Sequence, residues 1–566
     1  MTPEDTDARD RRIREGEELL LSRPQRSGVA KSLFAGRFVA DWVMPYPTMP
    51  PLQQAKLDVL MPQLRTFLRD VLDPAAIDKA ADIPQYVIDG LARLGVLGLA
   101  APLEVGGRGF SQMAYCQVME AIGERCGSTS VFVNAHHSIG LRALVLFGTP
   151  EQQRRWLPRL AHGEQIAAFA LTEPDAGSDA GNVQTRAERS ADGSHYVLNG
   201  EKRYITNAAI AQVLTVIART TEGITAFLVT PDMPGFAVTE PRMAKMGIRG
   251  TATGKLAFTN MRVPADHVLG APGEGLKIAL TVLDFGRTTF GACCTGAAKT
   301  SLRLAVEHAN SRRQFGRSLG DFELVKKKLA RMAADTYAME AMTTVVASLI
   351  DRGLEDYMLE TAILKVYTTE ALWAIVNDAF QIHGGAAYFT DLPLERMVRD
   401  ARINQIGEGA NEVLTSFIAL AGMRGPGVQL RDLWDALHHP IGDLHTIWQF
   451  GVDRLSTVVR APEVPVQDAR LRPHAVRLAS LIRRLGVEVN RVLIHHREAV
   501  LDKQYVQQRI AGAAAEIFAS ACVLSRADAE LAAASESEAA RTFPVAELSL
   551  RRSLRRVRRW LAKVHE

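Results

Sequence analysis

Several features that would point to other classes of protein are missing from this sequence. Its 566 residues contain no apolar run of about 18 residues or more, the length that a membrane-spanning helix needs. Five cysteines lack metal-ligand spacing, which predicts reduced, mostly buried thiols in an intracellular protein. The N-terminus carries acidic residues instead of the pattern of a signal peptide. A net charge of +4 is too small over this length to favour nucleic-acid binding.

A chain of this length exceeds the size at which one hydrophobic core keeps growing, so several domains are expected. The apolar spacing is helical at first, shifts towards a period of two in the middle of the chain, and then becomes helical again. Pro426 predicts a break in the later helical part, and Phe543-Pro544 predicts another. The predicted divisions are an N-terminal arm at 1–55, an α-helical domain at 56–164, a β domain at 165–275, a helical bundle at 276–425 and an appended helical domain at 426–566.

The β signal is concentrated in the middle of the chain. Residues 196–205 alternate around Asn199-Gly200, which predicts a hairpin with this pair at its turn. Short runs rich in β-branched residues at 213–217, 224–229 and 255–258 predict further strands. We therefore expect a small β domain between two helical parts.

One late segment places a glutamate between two glycines, Gly407-Glu408-Gly409. Neither neighbour has a side chain that crowds the carboxylate, and glycine permits backbone angles that other residues resist. Helical apolar spacing resumes from Glu412. A carboxylate on a tight turn between helical segments is well placed to act as a general base. A plain surface turn is the alternative, and the neighbouring segments decide between the two.

Four further segments suit a large cofactor. The segment 169–179 reads Phe-Ala-Leu-Thr-Glu-Pro-Asp-Ala-Gly-Ser-Asp and offers N–H groups and hydroxyls on a loop of small residues. The segment 204–207, Tyr-Ile-Thr-Asn, adds an aromatic ring and a hydroxyl. The segment 311–316, Ser-Arg-Arg-Gln-Phe-Gly, supplies cations for a pyrophosphate. The segment 381–385, Gln-Ile-His-Gly-Gly, permits a close approach of the backbone.

In this order, the segments and the glutamate resemble the acyl-CoA dehydrogenase family, strongly over residues 90–420 and loosely beyond 425. The resemblance implies a mixed α and β fold: an N-terminal α-helical domain, a middle β-barrel-like domain, a C-terminal four-helix bundle and an extra C-terminal helical domain. It also implies an FAD-dependent enzyme that removes hydrogen from the α and β carbons of an acyl-CoA thioester. Glu408 would take the α proton, and flavin N5 would accept the β hydride. No metal site is expected.

The same resemblance assigns further residues by position. The implied cofactor-binding residues are Phe169, Leu171, Thr172, Gly177, Ser178, Tyr204, Ile205, Thr206, Arg312, Phe315, Gln381, Gly385, Ala410 and Glu412. The implied substrate-binding residues are Ser178, Asp284, Arg287 and Gly409. Three positions depart from the family pattern: Tyr204 replaces the usual Trp, Ala410 lacks the usual hydroxyl, and Gly407 replaces an aromatic residue. The last change leaves more room at the thioester end of the pocket.

Within the family, the appended domain and the arm around Phe34 and Pro45 resemble the long- and very-long-chain type. This implies a long-chain acyl-CoA substrate, a role in fatty-acid β-oxidation and a homodimer. The implied electron acceptor is an electron-transfer flavoprotein, with oxygen as the alternative. Ala135 lies where the family limits pocket depth, and its small size permits a long tail.

Two other functions are compatible with parts of the sequence. The missing hydroxyl at Ala410 would suit a weakly catalytic binding or assembly protein, whereas the C-terminal arginines would suit a nucleic-acid-binding relative. The intact Glu408 argues against the first. The modest net charge argues against the second, so no nucleic-acid partner is expected.

The C-terminal segment 550–564 carries an apolar seam at helical spacing, with arginines over most of the remaining surface. Packing in the appended domain is one interpretation of this seam. The other is contact with anionic lipid, helped by Trp560 and by an amphipathic stretch at 441–459. We therefore expect a cytoplasmic protein, with a peripheral position on the inner face of the membrane under the second interpretation.

Overall fold

The structure is a computed structural model that describes residues 28–438 and 460–566, with the backbone alone for 432–438. Within these residues the chain forms two compact units. The first contains Met49–Thr300 and Gly384–Glu408, and the second contains the described part of Pro24–Thr48, Ser301–His383 and Gly409–Glu566. Of the predicted elements, the amphipathic stretch at 441–459 and the first 27 residues of the arm lie outside the described residues.

Local signals explain where several of the helices that precede the sheet begin. Their bounds are α1 (Val29–Phe34), α2 (Pro51–Asp70), α3 (Pro74–Ala80), α4 (Gln85–Arg93), α5 (Gln112–Arg125), α6 (Gly127–Asn134), α7 (Arg142–Phe147) and α8 (Pro150–Ala161). The Asp73 carboxylate accepts hydrogen bonds from the first turn of α3, and the Ser111 hydroxyl does so for α5. Thr149 and Gln152 form a reciprocal capping box at the start of α8.

A mixed sheet follows these helices in the first unit. Its strands are β1 (Ala167–Ala170), β2 (Arg186–Arg189), β3 (His195–Ile205), β4 (Val213–Thr220), β5 (Gly223–Val229), β6 (Phe236–Glu240), β7 (Gly254–Pro264) and β8 (Val268–Leu269). The order is β6-β7-β3-β2-β4-β5-β8, and β1 pairs in parallel with β4. On β4, Val213 and Ile217 pack into a core shared with the helices, and Leu214 and Val216 pack into a second core. Because side chains alternate along a strand, burial on both faces explains the continuous apolar run there.

The hairpin predicted at Asn199-Gly200 is wrong, because β3 runs unbroken through both residues. The register against β7 shifts at Gly200, which marks a β-bulge. The carboxamide oxygen of Asn199 accepts the N–H of Asn260 at 2.7 Å. A Cβ added to Gly200 would lie 2.6 Å from Thr185 Oγ1. The glycine therefore permits a close approach between strands and does not form a turn.

The rest of the chain is mainly helical. The elements are α9 (Gly275–Ser311), the pair β9 (Arg313–Gln314) and β10 (Arg317–Ser318), α10 (Glu323–Asp351), α11 (Met358–His383), α12 (Leu394–Arg402), α13 (Asn411–His438), α14 (Arg472–His496), α15 (Gln504–Ala533) and α16 (Glu536–Ala562). In the second unit, α10 packs against α11, α15 and α16, and α13 packs against α11 and α15. Phe34 of α1 is buried in this unit, where it lies against Gly422 of α13.

Both predicted proline breaks are wrong, because α13 continues through Pro426 and α16 continues through Pro544. A proline inside a helix removes one N–H donor and crowds the preceding turn. Packing offsets this cost: Ile418 and Met423 of α13 and Leu550 of α16 are buried. Tertiary packing therefore decided the lengths of these two helices.

The apolar seam of the C-terminal segment is buried within the second unit. Leu550, Leu554, Val557, Leu561 and Val564 are each at most 4% exposed. Helix α15 is apolar and long enough to cross a membrane by composition alone, but 89% of its most apolar window is buried inside the structure. Both helices thus pack as elements of a bundle.

Candidate active site

Glu408 lies on a strained turn between α12 and α13. Its backbone has φ +56°, in the left-handed region that residues other than glycine rarely occupy, and Gly409 follows with φ +99°. The Gly407 N–H donates to the Ile403 carbonyl at 2.8 Å, which closes the turn after α12. Strain of this kind concentrates at functional sites, where the surrounding structure holds it in place.

The Glu408 carboxylate lies between two helices of the first unit. Asn134, the last residue of α6, donates from Nδ2 to Glu408 Oε1 at 2.9 Å. On the other side, a Cβ added to Gly286 of α9 would lie 3.0 Å from Glu408 Oε2. The missing side chain at Gly286 therefore lets the half-buried carboxylate approach the helix axis.

Asp284 and Arg287, both predicted to contact substrate, flank Gly286 on α9. They form a buried ion pair, with Arg287 Nη1 3.0 Å from Asp284 Oδ1. Arg287 Nε also donates to the Glu408 carbonyl at 3.4 Å. The pair therefore fixes the backbone of the turn, and the geometry brings the predicted base and these two residues together.

The loop that follows β1 is held against β3 by polar contacts. The Arg203 N–H donates to the Thr172 carbonyl at 2.8 Å. Lys202 Nζ donates to the Leu171 carbonyl at 3.0 Å and to Glu173 Oε1 at 2.6 Å. The Glu173 carboxylate also accepts the backbone N–H groups of residues 184 and 185. These contacts place the segments 169–179 and 204–207 side by side, as the sequence predicts for one cofactor site.

The Glu173–Lys202 pair, which sequence reasoning missed, is fully buried, with side chains 2% and 0% exposed. Burial, which disfavours the ammonium, lowers the pKa of Lys202 to about 8. The sequence offered no local signal for this pair, because Lys202 stands between the charged residues Glu201 and Arg203 and its partner is distant. This pair anchors the cofactor loop.

Hydroxyls predicted to contact the cofactor are available in this loop region. In the part of the chain that the structure describes, no hydrogen bond uses the side-chain hydroxyls of Thr172, Ser178 or Thr206. Tyr204 has φ +60° and a ring that is 56% exposed. A Cβ added to Gly177 would meet no atom within 4 Å. Free hydroxyls, an open glycine and an exposed ring fit a large polar ring system such as an isoalloxazine.

Three other predicted cofactor residues, Phe169, Leu171 and Ile205, differ in how far their side chains are exposed. Phe169 and Leu171 are half-buried and pack against a core that contains Ile139. Ile139 also lies beside Gly286, so this core extends from the cofactor loop to the neighbourhood of Glu408. The side chain of Ile205 is 2% exposed in the sheet core, so only its backbone is available to a ligand.

The residues predicted to hold the adenosine diphosphate half are exposed. In the second unit, Phe315 has φ +52° and is 92% exposed, and Arg312 and Gln381 are exposed as well. Gly385, in the first unit, would meet no atom within 4 Å if it carried a Cβ. An apolar ring and a guanidinium that the described residues leave exposed suit a ligand with aromatic and phosphate groups.

The start of α13 in the second unit is held by a buried lysine. Lys365 Nζ donates to the Gly409 carbonyl at 2.7 Å and to Asn411 Oδ1 at 2.9 Å. Ala410 is half-buried between these contacts, and Glu412 is exposed. Sequence reasoning missed Lys365 and Asn411, although a charged residue inside the apolar run of α11 was a usable signal.

Together, a carboxylate held on a strained turn and a predicted cofactor loop with available hydroxyls are compatible with a flavin-dependent oxidoreductase. Models of the acyl-CoA dehydrogenase N-terminal, middle and C-terminal domains match residues 56–164, 168–261 and 273–423. A model described as the ACAD9/ACADV C-terminal domain matches residues 469–566.

Individual relatives agree with these matches. The mitochondrial very long-chain specific acyl-CoA dehydrogenase of Mus musculus is 34% identical over 525 residues, which cover 90% of this chain and 80% of that protein. An acyl-CoA dehydrogenase from Bacillus anthracis, solved with FAD, superposes with a TM-score of 0.82 at 27% identity and covers 95% of this chain and 92% of its own. A structure titled as the electron transferring flavoprotein of Acidaminococcus fermentans superposes with a TM-score of 0.63 at 34% identity, over 66% of this chain and 98% of its own.

The chain belongs to the acyl-CoA dehydrogenase family. It is an FAD-dependent acyl-CoA dehydrogenase of fatty-acid oxidation. The family, the mixed fold with an extra C-terminal helical domain, the enzyme class and the FAD cofactor that the sequence predicts are thereby confirmed.

Proposed function

We propose that this enzyme dehydrogenates long- or very-long-chain acyl-CoA thioesters in β-oxidation and that Glu408 takes the α proton. The observation that carries the role of Glu408 is its position: the carboxylate lies against Gly286 of α9, where a side chain would crowd it, and accepts a hydrogen bond from Asn134. A positioned carboxylate is what abstraction of a weakly acidic α proton requires.

In this mechanism the α C–H bond breaks, its proton passes to the Glu408 carboxylate, and its electron pair forms the new double bond as the β hydrogen leaves as hydride. FAD, when bound, supplies the acceptor for that hydride. Thr172, Ser178 and Thr206 would hold the ring system through their hydroxyls, and Arg312 would pair with the diphosphate. The half-buried Phe169 and Leu171 exclude water from the reacting face.

The preference for long chains is supported by the similarity to the mouse very long-chain enzyme and by the appended C-terminal domain. Ala135 begins the π-helical segment Ala135–Leu141, and its side chain is small enough to permit a long acyl tail. Anaerobic flavin reduction should be at least about tenfold more efficient with palmitoyl-CoA than with butyryl-CoA, since each added methylene contributes binding energy in a fitted pocket. Equal or better efficiency with butyryl-CoA would contradict the chain-length assignment.

Two further proposals are that the enzyme forms a homodimer and that it passes its electrons to an electron-transfer flavoprotein. The dimer is supported by the exposure of Phe315 and Arg312, which a second copy would cover together with the cofactor. Analytical ultracentrifugation of the holoenzyme checks this, and a monomer would refute it.

The flavoprotein acceptor is supported by the similarity to the Acidaminococcus fermentans chain. Rapid reoxidation of the reduced enzyme by air alone would favour oxygen instead.

A cytoplasmic location, with peripheral contact at the inner face of the membrane, is the remaining proposal. It rests on three exposed arginines of α16, Arg551, Arg555 and Arg558, of which Arg551 also pairs with Glu547. The neighbouring Arg552 and Arg556 pair with buried carboxylates. The apolar seam is buried and Trp560 packs on Gly512, so only electrostatic attraction is left to carry the contact.

Each of the three exposed arginines is expected to contribute about 1 kcal/mol of attraction to anionic lipid. Wild type should therefore co-sediment with phosphatidylglycerol vesicles at low salt, and added salt should release it. Changing Arg551, Arg555 and Arg558 to Gln should abolish binding. The matched control changes three other exposed arginines, Arg69, Arg154 and Arg303, to Gln and should still bind. Wild type that stays in the supernatant at low salt would rule out the membrane contact.

A further inference from the structure

A line of buried polar side chains leads to the Glu408 carboxylate from the helices behind it. Asn134 is 2% exposed, and its Nδ2 donates to Glu408 Oε1 at 2.9 Å. Its Oδ1 accepts a short hydrogen bond from Thr289 Oγ1 on α9. The amide of Asn134 therefore has one end on the predicted base and the other on a second helix.

The line continues away from the site. Ser138 Oγ lies 3.0 Å from Thr289 Oγ1, and the Tyr115 hydroxyl lies 2.9 Å from Ser138 Oγ. Tyr115, Ser138 and Thr289 are at most 1% exposed. Burial raises the pKa of Tyr115 well above its usual value, so its hydroxyl stays protonated and acts as a donor.

The chemistry of these groups sets one direction for the whole line. An ionised carboxylate can only accept hydrogen bonds, so the NH₂ end of Asn134 must face Glu408 and its oxygen must face Thr289. Thr289 Oγ1 also lies 3.2 and 3.1 Å from the Phe285 and Gly286 carbonyls, but its closest acceptor is Asn134 Oδ1. With its proton on Asn134, Thr289 accepts from Ser138, which accepts from Tyr115. Every hydrogen bond in the line thus donates towards the negative charge, and donors in series strengthen one another.

We propose that Asn134 is a positioning residue for the base: it holds the Glu408 carboxylate ionised and in one orientation, with Thr289, Ser138 and Tyr115 supporting its amide. This rests on the proposed role of Glu408 as base. A hydrogen bond to the charged form favours that form. The resting enzyme therefore keeps its base ready to accept a proton, and the bond weakens once the carboxyl is protonated.

The other groups that face Glu408 do not replace this contact. On α9, Arg287 is paired with Asp284 and reaches only the Glu408 backbone carbonyl. Burial raises the pKa of Cys293 on the same helix, so that thiol remains neutral. Gly286 has no side chain to offer. Among the side-chain contacts that the structure describes at Glu408, Asn134 Nδ2 is a neutral donor to the carboxylate.

The test is the pH dependence of anaerobic flavin reduction by palmitoyl-CoA, measured by stopped flow on the FAD-loaded enzyme. Asn134→Leu removes the donor in a similar volume, and Asn134→Asp brings a like charge to the carboxylate. Both variants should raise the pKa of Glu408 and so shift the acidic limb of the pH–rate profile to higher pH by about one to two units. Thr289→Val, which frees the Asn134 amide, should move it in the same direction by less.

Ser130→Ala is the matched control. Ser130 lies one turn earlier on α6, is also buried, donates to the Gly127 carbonyl at 2.9 Å and hydrogen-bonds the neutral Cys293 thiol, outside the line of polar side chains that ends at Asn134. The acidic limb of the Ser130→Ala profile should coincide with that of wild type. A purely structural role for Asn134 would instead give unchanged limbs in all variants, with only lower thermal stability.

An unmoved acidic limb in both Asn134 variants would overturn the inference. If those two variants do not fold, an unmoved limb in Thr289→Val overturns it equally. Failure of the underlying function has a different signature, since Glu408→Gln would then still reduce its flavin. Inactive Glu408→Gln together with unmoved limbs in the Asn134 series would remove only the positioning role.

Discussion

Replacement of Glu408 by Gln is expected to leave FAD bound and the fold intact while abolishing flavin reduction by acyl-CoA. The amide is nearly isosteric with the carboxylate and still accepts from Asn134, but it cannot take up the α proton. The rate of anaerobic reduction should fall by about 10²–10⁴-fold, the usual contribution of a general base. The FAD absorbance of the purified variant shows whether the cofactor is retained.

Asp284 provides the control for this experiment, because it is a carboxylate on the helix that faces Glu408. It is paired with Arg287 and buried, so Asp284→Asn should weaken substrate use without removing the proton acceptor. If Glu408→Gln reduces its flavin at a near-normal rate and Asp284→Asn does not, the base is on α9 near Gly286.

Loss of the Glu173 carboxylate is expected to destabilise the first unit and release FAD. Glu173→Ala leaves Lys202 buried without its ion-pair partner, which typically costs about 3–5 kcal/mol of unfolding free energy. The same change frees residues 184 and 185 from the cofactor loop. A lower urea midpoint and a lower FAD content after gel filtration are the measurements.

The pH dependence of this deficit has a defined sign. The folded-state pKa of Lys202 is already lowered to about 8 by burial, below its value in the unfolded chain, so the unfolded state binds more protons as the pH rises above 8. Loss of the proton relieves the buried charge. Glu173 raises the pKa of Lys202, so in Glu173→Ala this pKa falls below about 8. The stability deficit should therefore shrink as the pH rises towards about 8 and stay constant above it, where Lys202 is neutral in both folded proteins.

An exposed pair on the same sheet provides the comparison. Lys255 and Glu240 lie 2.6 Å apart with side chains 37% and 40% exposed, and Glu240→Ala should change the unfolding free energy by less than about 1 kcal/mol. Equal midpoints for Glu173→Ala and Glu240→Ala would show that the buried pair does not hold the loop.

The Asn199-Gly200 pair shows why local pattern reasoning fails at some positions. This dipeptide is a frequent hairpin turn, and the strands predicted at 213–217, 224–229 and 255–258 are present in β4, β5 and β7. The glycine instead accommodates Thr185 on the neighbouring strand. Pro426 and Pro544 were misread for the same reason, because the packing that offsets their cost lies elsewhere in the chain.

The amino-acid sequence by itself determined the chemistry that this protein can perform. A glutamate between glycines, a loop with hydroxyls and a late pair of glycines specify the groups, and their order identifies the family. Side-chain identity and local spacing are sufficient for this, because each motif is complete within a few residues.

Only the tertiary structure decided which groups act on one another. Asn134 meets Glu408 across 274 positions, and Lys202 meets Glu173 across 29. Such pairs leave no periodic signal in a single sequence, because their partners come together only when helices and strands pack. Glu408 could therefore be predicted as the candidate base from its own segment, whereas its contact with Asn134 became visible only in the fold.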